Sequence, residues 1–193
     1  MKNFFALLIS ILLLSFLASC NVHAQFASKG TIELGGAVSF SSTTAVSNGT
    51  ASDQSTTLFQ FMPYGNYYIT DGFSLGLSPG IDMLKFTYSG KSYSEKLYAI
   101  FFVPGYAFTT HGSLFPFIEG MVGYTAVSGD GLTDASGISF GGKGGVKLLV
   151  GSNGVITAGL SYMLFNLSPK GADKRSGFND LAVSFGYSVL LPK

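Results

Sequence analysis

Apolar residues alternate one by one with small or polar residues along most of this chain, and that period of two fixes its local structure. Successive side chains of a strand point to opposite faces, so strict alternation describes a two-sided strand and not a helix. Near the end, Leu181, Val183, Phe185, Tyr187 and Val189 share one face, and Ala182, Ser184, Gly186 and Ser188 share the other. Ile32, Leu34, Val38 and Phe40 alternate in the same way with Thr31, Glu33, Gly35, Ala37 and Ser39. So do Phe73, Leu75, Leu77, Pro79, Ile81 and Met83 with Ser74, Gly76, Ser78, Gly80 and Asp82. Ile138, Phe140, Val146, Leu148 and Val150 oppose Ser139, Lys143, Gly145 and Lys147, and Ile156, Ala158, Leu160, Tyr162 and Leu164 oppose Thr157, Gly159 and Ser161.

Three further stretches, about 57 to 69, 95 to 108 and 114 to 127, have strand composition with weaker alternation. The middle one is apolar on both faces from Leu97 to Tyr106, which predicts that Phe101 and Val103 fill an interior. Pro63, Pro79, Pro104 and Pro116 each remove a ladder donor and are expected near strand ends or at bulges. Together these segments predict eight strands.

The connections alternate in length. Long polar ones are expected at 41–56, 88–94, 128–136 and 168–178, and short ones at 70–72, 109–113 and 151–154. Tight turns on one side and longer loops on the other, with an even strand number and both termini on the periplasmic side, is the layout of an outer-membrane barrel. A lipocalin-like soluble barrel also has eight strands, but it turns its apolar face inward. The inventory of the faces decides between them. One is large and aromatic, the other mainly Gly, Ser, Thr and Ala, which suits the narrow interior of an eight-stranded barrel. Charged residues make up only 11% of the chain, against roughly 25% in soluble domains. The expected fold is therefore an all-β, eight-stranded antiparallel up-and-down transmembrane β-barrel.

The N-terminus supports export. Lys2 precedes an apolar run from Phe4 to Ala18, the layout of a secretory signal peptide and too short for a spanning helix. Val22-His23-Ala24 predicts cleavage after Ala24, which makes residues 1–24 the signal and 25–193 a single barrel domain. Leu17-Ala18-Ser19-Cys20 resembles a lipobox, so lipidation at Cys20 is the alternative; a membrane barrel needs no additional lipid anchor. Cys20 is the only cysteine, which rules out an intrachain disulfide. Removing residues 1–24 takes away Lys2 and no acid, leaving ten basic and ten acidic residues, a balance without a nucleic-acid footprint. No later segment reaches 18 continuous apolar residues, so strands must do any spanning.

Leu114-Phe115-Pro116-Phe117-Ile118-Glu119-Gly120-Met121-Val122-Gly123-Tyr124 resembles the central strand of the small outer-membrane β-barrel family that includes OmpA-like and OmpX-like barrels. Gly141 to Val146, continuing through Gly159-Leu160-Ser161-Tyr162, resembles that family's next hairpin. The resemblance covers the chain after the signal and implies fold and location more than molecular function. Many members finish on an aromatic residue read by the barrel-assembly machinery; this chain finishes Leu190-Leu191-Pro192-Lys193, with Phe185 and Tyr187 its nearest aromatics.

Catalytic constellations are sparse. His111, the one histidine after the signal, falls in a predicted short turn with no nucleophile placed beside it. Gly141-Gly142-Lys143-Gly144-Gly145 lacks the spacing and the helix of a phosphate loop, and reads as glycines relieving crowding in a curved wall. Asp130 and Asp134 lack the spacing of a calcium loop. The remaining cluster is charged and inward: Glu33, Asp82, Glu119, Lys143 and Lys147. Buried charges of both signs in a narrow lumen are expected to pair and plug it, the alternative being a narrow ion path. The sequence thus predicts a non-enzymatic, monomeric outer-membrane barrel without cofactor or metal, in contact with membrane lipid and the assembly machinery. It serves as an envelope structural element or as a platform whose loops bind an extracellular ligand. A carrier for a small hydrophobic molecule is the second reading, from the apolar lumen near Leu97, Phe101 and Val103; an enzyme acting on lipid is the third.

Overall fold

The computed structural model of the chain describes residues 26–47, 50–88, 91–108, 110, 112–129, 134–169 and 176–191. The segment expected to be a signal, with Cys20 and Ala24, and likewise His111 and Asp130 lie outside the described residues.

Eight strands follow one another, each antiparallel to the next: β1 (Ile32–Ser47), β2 (Thr50–Tyr68), β3 (Phe73–Tyr88), β4 (Lys91–Ala107), β5 (Leu114–Gly129), β6 (Ala135–Val150), β7 (Gly154–Pro169) and β8 (Ser176–Leu191). β8 returns to β1, pairing from Leu191 with Ile32 to Val183 with Phe40, and closes the sheet into a barrel.

The faces fall as the alternation predicts. Leu181, Phe185, Phe40, Ile138 and Leu160 point outward and are 58–66% exposed, while Ala182, Ser184, Ser39, Ser139 and Ser161 between them are buried. A soluble barrel cannot leave so continuous an apolar surface in water, and the lipocalin-like arrangement is excluded. The uncharged outer stretch runs from Phe73 to Met83 on β3 and from Tyr98 to Phe108 across β4 and its exit. At about 3.3 Å per residue and a tilt of about 40°, it forms a band about 25 Å tall, the height of a barrel's lipid-facing belt.

The polar connections are shorter than expected. β1 runs to Ser47 and β2 begins at Thr50, so most of 41–56 is strand; the same holds at 88–94, between Tyr88 and Lys91. The residues from 41 to 56 are almost all polar or small, so hydropathy has no alternation to display there. The ladder nonetheless continues, with a register shift between Thr44 and Val46. The intervals at 128–136 and 168–178 likewise shrink to those between Gly129 and Ala135 and between Pro169 and Ser176.

The prolines also differ from expectation. Pro116 lies near the start of β5, but Pro63 and Pro79 sit well inside β2 and β3 and face each other. The β2–β3 ladder pairs Phe61 with Ile81 and Gly65 with Leu77 and is interrupted between them. Neither proline has an N–H, so this position cannot exchange the two bonds of a hydrogen-bonded pair. The Ser78 hydroxyl donates to the Pro63 carbonyl at 3.0 Å and satisfies one acceptor left over. Setting the two prolines opposite each other confines both lost donors to one gap. A second interruption, between the pairs Phe102–Val122 and Gly105–Glu119, lies beside Pro104.

Apolar side chains pack the interior at two levels. Toward the strand ends that carry the short turns, here the turn end, Phe26, Tyr68, Phe115, Phe117, Val155 and Leu190 cluster; toward the opposite ends Leu58, Leu84, Leu97, Phe101, Phe165 and Leu167 do so. Phe101 and Val103 are both buried, as the two-sided apolar stretch predicts. The segment before β1 folds across the mouth at the turn end. Phe26 stacks on Phe115 at 4.1 Å between ring centroids and meets Tyr68 edge-on at 6.4 Å. The Ala27 carbonyl accepts from the Gly72 N–H at 2.7 Å, and Ala27 itself has a φ of 58° and no exposure. The Lys29 N–H donates to Asp71 Oδ1 at 2.8 Å, tying this segment to the β2–β3 turn.

Candidate functional site in the lumen

Glu33 is the second residue of β1 and belongs to the inward-facing set of that strand, so the alternation that turns Ile32 and Leu34 to the outside carries its carboxylate into the barrel. The same parity brings Lys147 inward from β6, Glu119 from β5 and Ser188 from β8. Lys147 Nζ lies 2.9 Å from Glu33 Oε2 and 3.3 Å from Glu119 Oε1. Three hydroxyls complete the Glu33 site: Ser188 Oγ donates to Oε1 at 2.8 Å, Tyr68 OH to Oε2 at 2.9 Å and Tyr64 OH to Oε1 at 3.2 Å. A fully buried carboxylate is thereby paired and multiply hydrogen-bonded, which is the condition under which a buried charge persists.

Lys143 is the cross-strand neighbour of Glu119, and its ammonium stands 5.6 Å from the centroid of the Phe117 ring; that of Lys147 stands 5.1 Å from the same ring. Both distances fall within cation–π range. Four of the charged residues singled out from the sequence thus meet in one layer near the turn end.

Asp82 does not join them. It accepts from Gln60 Nε2 at 3.1 Å, Gln60 Oε1 accepts from Ser39 Oγ at 2.6 Å, and nearby Ser41 donates to Asp180 Oδ1 at 2.7 Å. This second polar group lies on β8, β1, β2 and β3, farther from the turn end. Sequence reading missed Tyr64, Tyr68 and Gln60 because they occupy β2, whose alternation is weak. Asp180 keeps the inward parity of Ala182 and Ser184 but stands just before Leu181, where the alternation read from the sequence begins.

Between the two groups is a cavity of about 20 Å³, lined by residues that include Met62, Asn66, Val103 and Met121. That volume holds about one water; a dry cavity that binds benzene needs roughly 150 Å³. Chemically, the site is a fixed set of compensating charges. Among the described residues, no group of three or more His, Cys, Asp or Glu side chains is arranged to hold a metal ion.

No protein-family profile and no curated protein matches the chain. Solved structures do. The outer membrane protein OprG from Pseudomonas aeruginosa is 15% identical, with a TM-score of 0.57 over 88% of this chain and 99% of that one. Neisserial surface protein A is 21% identical, with a TM-score of 0.61 over 83% and 97%. The N-terminal β-barrel domain of Pseudomonas aeruginosa OprF is 14% identical, with a TM-score of 0.52 over 84% and 98%. At these identities the likeness is one of fold, the fold of small outer-membrane barrels.

Proposed function

We propose that this chain is a non-enzymatic, monomeric barrel of the bacterial outer membrane, an envelope element whose strand ends opposite the turn end form an external binding platform. In this reading both termini are periplasmic, the assembly machinery inserts the chain, and the Glu33–Lys147–Glu119 layer with Lys143 is a structural plug. The observation that carries the reading is the packing of the lumen by the described side chains. Apolar clusters lie on both sides of the ionic layer, and the cavity beside it is far below the size of any organic solute. The apolar band and the fold of the structural neighbours support the location.

Two measurements test it together. The full chain, expressed in a Gram-negative host, is expected in the outer-membrane fraction as a band whose gel mobility changes on boiling. The purified barrel in planar bilayers is expected to show no stable conductance. Steady conductance abolished by Lys147→Met would replace the plug with an ion path.

One observation favours the second reading, a carrier for small hydrophobic molecules. The cavity-lining residues Met62, Tyr64 and Ser78 flank the Pro63–Pro79 gap, so the ladder is interrupted beside that cavity. Uptake of a hydrophobic dye by vesicles, lost when both prolines are replaced by valine, is the result that favours it.

A further inference from the structure

Besides the lumen, the outer face of the barrel holds one unexplained feature. Among the strand side chains described, the only charges on that face are Lys85 on β3 and Lys96 on β4, both exposed. They are diagonal neighbours: Lys96 pairs with Met83, and Lys85 pairs with Ser94 two residues earlier on β4. Diagonal Cβ atoms in such a ladder are about 7–8 Å apart or less, so two lysine side chains can converge on one anion. Without an anion, two neighbouring cations repel, and the nearest acid on these strands, Glu95, is buried on the other face.

Their height on the wall matters as much as their charge. Directly below, Ile81, Met83 and Tyr98 are 46–56% exposed and form the upper margin of the apolar band. Directly above, the same outer face carries Ser94, Thr87 and Ser92, the last two joined by a hydrogen bond of 3.3 Å. To either side the register partners are Thr57 on β2 and Ser128 on β5. The strip therefore presents apolar surface, then paired ammonium groups, then hydroxyls, in the order in which a membrane glycolipid presents acyl chains, phosphate and sugar.

We propose that Lys85 and Lys96 form a binding site for the phosphate of a phosphorylated glycolipid in the outer leaflet. The acyl chains lie along Ile81, Met83 and Tyr98, and the sugar lies against Thr87, Ser92 and Ser94. The inference rests on the proposed orientation, with these strand ends outside. A cation near a membrane surface contributes about a fivefold gain in affinity for anionic lipid, so the pair contributes about thirtyfold.

The test uses the full chain purified from outer membranes in mild detergent, with diphosphorylated lipid A, the same lipid stripped of phosphate, and soluble glucosamine phosphate as probes. Native mass spectrometry is expected to show wild-type retention of diphosphorylated lipid A falling about thirtyfold in the Lys85→Gln/Lys96→Gln variant. Lys91→Gln, on the same hairpin but with the inward parity of Glu95 and Leu97, is expected to retain it fully. Equal retention by the double variant, or equal retention of the dephosphorylated lipid, overturns the site. Binding of soluble glucosamine phosphate as tight as that of the lipid overturns its assignment to a membrane lipid. A Ser92→Cys variant separates the premises. Labelling by an impermeant maleimide on intact cells upholds the orientation, so that failed retention then counts against the lipid site alone. A Ser92→Cys variant labelled only after the outer membrane is opened overturns the orientation and the site with it.

Discussion

Replacing Lys147 by methionine removes one ammonium from the lumen while keeping nearly the same length and volume. Glu33, with no exposure, is left with Ser188, Tyr68 and Tyr64 as donors, and Glu119 loses its 3.3 Å partner. Removing one member of a buried pair costs about 3–5 kcal/mol. Three hydroxyl donors remain on the Glu33 carboxylate, so the loss is expected near the lower end, about 3 kcal/mol. Combining Lys147→Met with Glu33→Gln restores neutrality while keeping an acceptor for Tyr68, and the double variant is expected to regain at least about 2 kcal/mol of that loss. The chain has no tryptophan, so unfolding in lipid vesicles is followed by tyrosine fluorescence and by survival of the compact gel band across a urea series. At a slope of about 1–3 kcal/mol per molar urea, the single variant moves the midpoint by about 1–3 M. A single-variant loss below about 0.5 kcal/mol, or a double-variant loss equal to the sum of the two singles, refutes the idea that this pair holds the lumen together.

Three further outcomes follow from the geometry. Gly145→Ala sets a Cβ against the Ala158 carbonyl and is expected to cost about 1–3 kcal/mol, whereas Gly144→Ala meets nothing closer than 3.6 Å and is expected to be neutral; urea midpoints compare the two. Phe26→Ala removes the ring stacked on Phe115 and is expected to cost about 3 kcal/mol while the folded gel band persists, since the eight strands do not depend on it. In the Pro63→Val/Pro79→Val variant, mass-spectrometric hydrogen exchange is expected to show new protection at 62–64 and 78–80, because both missing donors return to the ladder.

What the sequence disclosed depended on whether a physical signal was local. Leu181 to Val189 and Phe73 to Met83 announce their faces because lipid lies on one side and a packed lumen on the other, so each residue reports its own environment. Inward Glu33, Glu119, Lys143 and Lys147 were legible for the same reason, by parity alone. Their mutual distances were not, because the contact of Lys147 with Glu33 depends on the stagger around the closed sheet and not on either strand. The apposition of Pro63 and Pro79 is likewise a property of register. Thr43 and Thr44 were read as loop because their stretch is polar without alternation, while backbone pairing leaves no mark in hydropathy. The packing of Phe26 under Tyr68 and Phe115 joins residues far apart in the chain, and a lone phenylalanine after the apolar N-terminal run gives no hint of it.

The wall that continues past the apolar band has a consequence for recognition. From Met83 to Tyr88 the β3 strand rises about 12 Å beyond the band, and only two residues separate it from β4, as only two separate β1 from β2. On the proposed platform reading, a partner arriving at these two hairpins meets paired strand backbone spaced about 4.8 Å apart across the sheet. The ordering cost of about 1–2 kcal/mol per residue that a floppy loop would exact on docking was met when the barrel folded. On the proposed platform reading, specificity at these two hairpins changes by exchanging single side chains along the strands, and a ligand suited to them matches a ridged contour.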